Sequence, residues 1–220
     1  MLKKILLFTL TIFLFSCYSQ KIYLNPDKKS GKMIIDYSLD SDYLSILSTA
    51  LANFQSTTDA SPIDPAILID EQAFKDAFKE NKDVTLKVVK IDTKKGYSGH
   101  IEISFTDFEK ALNLLPKSMV NLAIQRANGT LTVNQVLNFG KMDADGVFLD
   151  FINQQKEDDI NLYNRLTKVA SFKFEVYTTT PMIKTEGVTV SSDKKKIEYS
   201  FKLQDLLVNK DKDLKFLISF

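Results

Sequence analysis

The residues from which metal and redox sites are usually built are almost missing here: 220 residues include one Cys, one His and no Trp. A lone thiol closes no internal disulfide, so the fold must rest on its core. One Cys and one His cannot form the Cys/His sets that hold structural zinc, and no metal or other cofactor is expected. Glycine and proline are sparse as well, at 7 and 5, which leaves little linker material. There is no surplus of either charge, with 29 Lys and Arg against 28 Asp and Glu. Without residues 1–16, which carry Lys3 and Lys4 and no acid, the balance is 27 against 28. A nucleic-acid binder draws most of its affinity from neutralising phosphates, so nucleic acid is not an expected partner. Beyond the first sixteen residues no apolar run approaches the roughly 20 residues that span a bilayer.

What is present begins with an export segment. Lys3 and Lys4 form a basic start, followed by an apolar stretch from Ile5 to Phe15, the length of a signal-peptide core. Leu14-Phe15-Ser16-Cys17 then resembles the lipobox of bacterial lipoproteins, in which the Cys takes a thioether-linked diacylglycerol and becomes the new N-terminus. Leu14 and Ser16 fit the pattern, and the bulky Phe15 fits the looser boxes of the spirochaete kind. On this reading residues 1–16 are a lipoprotein signal peptide and residues 17–220 a single α+β domain tethered through Cys17. Two alternatives remain: ordinary secretory cleavage after Cys17-Tyr18-Ser19, leaving Gln20 first, or an uncleaved anchor. The sole Cys standing where lipidation needs it orders them.

Along the tethered part, alternation marks strands at Lys21–Leu24 and Lys32–Leu39 around the turn cluster NPDKKSG. Tyr43, Leu47, Ala50, Leu51 and Phe54 recur at helical spacing, capped by Ser41 or Asp42. The segment 55–65 reads as a loop, and Glu71–Lys79 as a short helix. Strands are expected at Val84–Val88 and Gly99–Phe105 around Lys94-Lys95-Gly96. Thr106-Asp107-Phe108-Glu109 has capping-box form before a helix that Pro116 ends. Met119–Arg126 and Thr130–Phe139 flank Asn128-Gly129, the strongest hairpin signal in the chain. Asp145–Leu166 reads as helical with a break near Lys156. Strands return at Ser171–Thr178, Val188–Val190, Lys196–Leu203 and Leu214–Phe220, with a helical turn at Gln204–Leu207. Ile101-Glu102-Ile103-Ser104-Phe105 and Ile197-Glu198-Tyr199-Ser200-Phe201 echo one another, each leading into a helix; amphipathic strands entering helices suffice to explain that without duplication. Hairpins interleaved with helices predict an α+β fold, an antiparallel sheet with helices packed on one face.

The layout from Cys17 to about Leu207 is similar to the LppM-like lipoproteins, a family with a domain of unknown function. The likeness rests on IYLNPDKKSGKMIIDYSL soon after the lipid site, a central helical section, and EVYTTTPMIKTEGVTVSSDKKKIEYSFKL. Tyr199 stands where a Trp is common, and no C-terminal membrane helix follows. The resemblance implies an envelope location, a lipid anchor and an α+β body, and brings no catalytic residues.

No constellation announces chemistry. His100 has no nucleophile motif to serve and reads as a structural or surface imidazole. Asp143-Ala144-Asp145-Gly146 fails as a calcium loop: with Asp143 first, Phe148 falls at position six and Gln154 at twelve, and with Gly146 sixth, Ile152 falls at twelve. Glu157-Asp158-Asp159 suits a helix start, Lys194-Lys195-Lys196 a solvated turn, and the 16 Phe mostly inferred core faces. The expected function is that of a lipid-anchored envelope protein at the cell or outer membrane, periplasmic or surface-exposed. It is read as a non-enzymatic module with a protein or lipid partner and no assignable catalytic, metal or binding residues. The alternative is a hydrolase whose carboxylates, scattered in sequence, meet in space.

Overall fold

The computed structural model describes residues 17–27, 29–39, 71–72, 75, 79, 82–92, 97–114, 123–127, 130–137, 153–154, 156–208 and 214–219. Within them the chain is mostly strand, arranged in two sheets. The larger holds β1 (Cys17–Leu24), β2 (Gly31–Leu39), β3 (Val84–Asp92), β4 (Tyr97–Phe105), β7 (Ser171–Thr178), β9 (Thr189–Val190) and β10 (Lys196–Lys202), in the order β3-β4-β2-β1-β7-β10-β9. The smaller holds β5 (Ala123–Ala127), β6 (Thr130–Leu137), β8 (Lys184–Glu186) and β11 (Leu214–Ser219), in the order β5-β6-β11-β8. Short helices accompany them, among them α1 (Phe108–Leu114), α2 (Ile160–Val169) and α3 (Leu203–Val208), with further helical residues at 71–72, 75, 79, 153–154 and 156–158.

This overturns the expected α+β class with helices packed on a sheet face. Helices α1, α2 and α3 are 7, 10 and 6 residues long, too short to form a layer over seven strands. The helical spacing at Tyr43–Phe54, the loop at 55–65, Asp143–Gly146 and the first part of the Asp145–Leu166 region lie outside the described residues. The first four strands also run longer than expected, two of them for evident local reasons. β1 begins at Cys17 and not at Lys21, with Tyr18, Gln20, Ile22 and Leu24 turned inward. Polar Gln20 breaks the apolar alternation. It is tolerated because Tyr18 Oη donates to its Oε1 at 3.4 Å and its Nε2 lies 3.2 Å from Met33 Sδ, so a buried amide keeps partners. In β3 a bulge between Leu86 and Val88 resets the period of two, which hides the second half of the strand. The bulge, with exposed Lys87 and Lys90, also suits an edge strand.

A second departure is a parallel pair. β1 runs antiparallel to β2 but parallel to β7, from Cys17 opposite Ser171 to Leu24 opposite Thr178. In sequence the Asn128-Gly129 and Lys94-Lys95-Gly96 turns are too short for crossovers and argue against parallel winding. Those turns constrain only the strands they join, and the β1–β7 pair closes across nearly 150 intervening residues.

The hairpin readings hold. Asp27 Oδ1 accepts from Lys29 and Ser30 N–H, both at 2.9 Å, which closes the NPDKKSG turn, and β5 meets β6 with Ala127 opposite Thr130. Ser171–Thr178 is a strand as read. The helix after β4 is capped by Asp107, whose Oδ1 accepts from Lys110 N at 3.2 Å. Thr106 instead reaches Asp83. The helical break falls at Asp159, which caps α2 through Asn161 N at 2.9 Å. In the large sheet the inward side chains Ile22, Met33, Ile35, Ile101 and Ile103 are fully buried. Phe108 and Ala111 of α1 join them, and Leu131, Val133 and Ile218 are buried hydrophobic residues of the small sheet.

Candidate functional site

The other face of the large sheet is polar. Because side chains alternate along each strand, the register places Ser19, Lys21 and Tyr23 of β1 beside Lys173, Glu175 and Tyr177 of β7. Lys196 and Glu198 of β10 continue the surface on one side. Lys32, Ile34 and Asp36 of β2, with His100 and Glu102 of β4, continue it on the other.

Two clusters stand on this face. In the first, the Glu175 carboxylate is 3% exposed and lies under two ammonium groups, Lys196 Nζ at 2.7 Å and Lys173 Nζ at 3.5 Å. Glu198 joins the same lysines at 3.1 and 3.5 Å, and Tyr177 Oη donates to Glu175 at 3.2 Å. Burial pushes the Glu175 carboxyl up, but the Lys196 hydrogen bond and the charges of Lys173 and Lys196 outweigh it and hold it below the usual range. The Glu198 hydrogen bond raises Lys173, and that of Glu175 raises Lys196. Beside this cluster Tyr23 and Tyr177 stack at 4.6 Å, with Lys32 over the outer face of one ring and Lys196 over the other.

In the second cluster His100 sits between two carboxylates, Nδ1 at 2.6 Å from Asp36 and Nε2 at 3.0 Å from Glu102. A neutral imidazole carries one N–H, so donating to both acids calls for the imidazolium. The Asp36 hydrogen bond, then that of Glu102, raises the His100 pKa. Lys21 Nζ approaches Asp36 at 3.8 Å. His100 is thus a surface imidazole in an ion-pair network. Among the described residues no three His, Cys, Asp or Glu side chains are placed to hold a metal ion.

Cys17, the predicted lipidation site, is exposed on this same face at the start of β1. Its lateral neighbours are Ser38 and Ser171, and Ser171 Oγ lies 3.6 Å from its Sγ. The structure therefore separates Cys17, at the strand end, from the charged clusters higher on the sheet. The lysine run divides: Lys194, with φ of 55°, and Lys195 occupy a turn held by Asp193, whereas Lys196 belongs to the Glu175 cluster. Sequence reasoning missed both clusters. The signal for the first is the alternation of Lys and Glu within Lys173–Glu175 and Lys196–Glu198, and for the second that of His100 and Glu102, and each needs the strand pairing to become a site. Among the described residues no helix is long and apolar enough to cross a membrane.

No family model matches the chain, and no curated protein matches it in sequence. Its trace is similar to the NMR structure of the folded domain of Mycobacterium tuberculosis LppM, over 94% of this chain and 88% of that one, with 12% identity and a TM-score of 0.48. That solved protein is of the kind the sequence resemblance names. Likeness at this level assigns neither a family nor a function.

Proposed function

We propose that the protein is a lipid-anchored lipoprotein of the bacterial envelope, whose folded body is a binding module and not a catalyst. The observation that carries this reading is the position of the single Cys. It follows a basic-then-apolar leader at lipobox spacing, and its thiol is exposed beside two serines, leaving room for a thioether. The polar sheet face, with its paired lysines and carboxylates and its stacked tyrosines, is the surface offered to a protein or lipid partner.

The hydrolase alternative asks for one carboxyl in an apolar setting, kept protonated, opposite a charged partner. The carboxylates that meet on this face lie against cations instead: Glu175 and Glu198 under Lys173 and Lys196, Asp36 and Glu102 on His100. Such an environment suits fixed ion pairs better than proton transfer.

Metabolic labelling with a palmitate analogue tests the anchor. Wild-type chain takes up label and partitions with membranes, and Cys17→Ala does neither. Equal labelling of the two would sink the proposal.

A further inference from the structure

The geometry points to a body held flush on the bilayer, standing on the strand ends around Cys17 with its polar face left free; this rests on lipidation of Cys17. The argument starts from the absence of slack. Cys17 is itself a ladder residue, paired with Ser38 on one side and Ser171 on the other, and the next side chain, Tyr18, is already buried. A lipid on Sγ is therefore joined to the rigid sheet by one side chain, with no chain between membrane and fold to let the body drift away.

The row of outer-face positions at this height runs Asp92, Ser98, Ser38, Cys17, Ser171, Lys202 across six strands. Four of the six are Ser or Cys. Lys202 stands two strands from the anchor in this row, and exposed Lys168 lies three residues before Ser171; both suit an anionic surface. The alternative of lying flat, polar face down, would press the ion pairs of Asp36 and Glu102 with His100, and of Glu175 and Glu198 with Lys173 and Lys196, against the headgroups and strip their water. An upright sheet avoids that. With a rise of about 3.3 Å per residue, the β1–β2 turn then stands roughly 23 Å above the anchor.

The test uses the full chain, recovered lipidated and placed in vesicles of phosphatidylethanolamine and phosphatidylglycerol. Lipidation consumes the only native thiol, so an introduced Cys is unique. A membrane-impermeant maleimide is timed against Ser98→Cys and Lys202→Cys at the anchor end and Lys29→Cys in the turn. All three positions are exposed. The expected result is labelling at least about tenfold slower at both anchor-end positions than at Lys29→Cys. A ten-residue Gly/Ser spacer inserted between Cys17 and Tyr18 should restore the fast rate. Equal rates at all three positions in the unspaced lipidated protein, whether fast or slow, would overturn the upright, flush placement while leaving the anchor intact. Chain recovered from membranes without lipid on Cys17 would refute the anchor, and the placement with it.

Discussion

Glu175 is the side chain on which the polar face turns, since it is buried between strands and compensated by two lysines that are themselves 40% and 38% exposed. Glu175→Gln keeps the shape and removes the charge. The stranded lysines can lean on Glu198 or reach water, so the cost falls short of that of a fully buried pair, at about 1–3 kcal/mol; denaturant titration measures it. The acid side of the stability profile carries the same information. A carboxyl whose folded pKa is depressed contributes stability above its unfolded value near 4.3, and that contribution drains away as pH falls through the lower folded value. The substituted chain should therefore lose less stability between about pH 5 and pH 3 than the parent. His100 works in the opposite direction. Its raised folded pKa means its contribution is complete below about pH 6.5 and lost as pH rises through the folded value. At 36% exposure it is worth about 0.5 kcal/mol. His100→Gln should lower the melting temperature slightly at pH 5.5 and leave it unchanged at pH 9; an equal drop at both would contradict the charged ion pair.

At the scale of elements, the β2–β4 pairing depends on a glycine. Gly99 faces Tyr37 across the ladder, and a Cβ there would fall 1.9 Å from the Tyr37 ring, which is 3% exposed. The tyrosine fills the space that Gly99 leaves and covers its strand, and burial raises its pKa. Gly99→Ala is expected to cost about 1–3 kcal/mol through overpacking. Combining it with Tyr37→Leu should recover part of that loss, because the two changes act on one contact; simple additivity of the two penalties in denaturant melts would show that the ring and the glycine do not share it. The same pair shows why β4 read short in the sequence. A glycine at a core-facing position carries no apolar signal, just as Gln20 carried none in β1. Where a local device was written in the residues it was legible: Asn128-Gly129 between two alternating runs, Asp27 in its turn, and the unbroken alternation of Ser171–Thr178.

For the whole molecule, the arrangement of strands was not legible, for a physical reason. Hairpin turns specify neighbours in sequence, whereas the parallel β1–β7 contact and the split into seven- and four-stranded sheets are decided by long-range burial that no local pattern records. The charged clusters share that origin, because each is assembled from two or three strands whose pairing must be known first. The anchor needed no such knowledge, being a contiguous string ending at Cys17, and the fold adds only that this residue is already part of the sheet. The most direct check is the mass of the N-terminal peptide from membrane-extracted protein. A peptide beginning at Cys17 and carrying a diacylglycerol thioether is the expected result; an unmodified Cys17, or a chain whose first residue is Gln20, would contradict it.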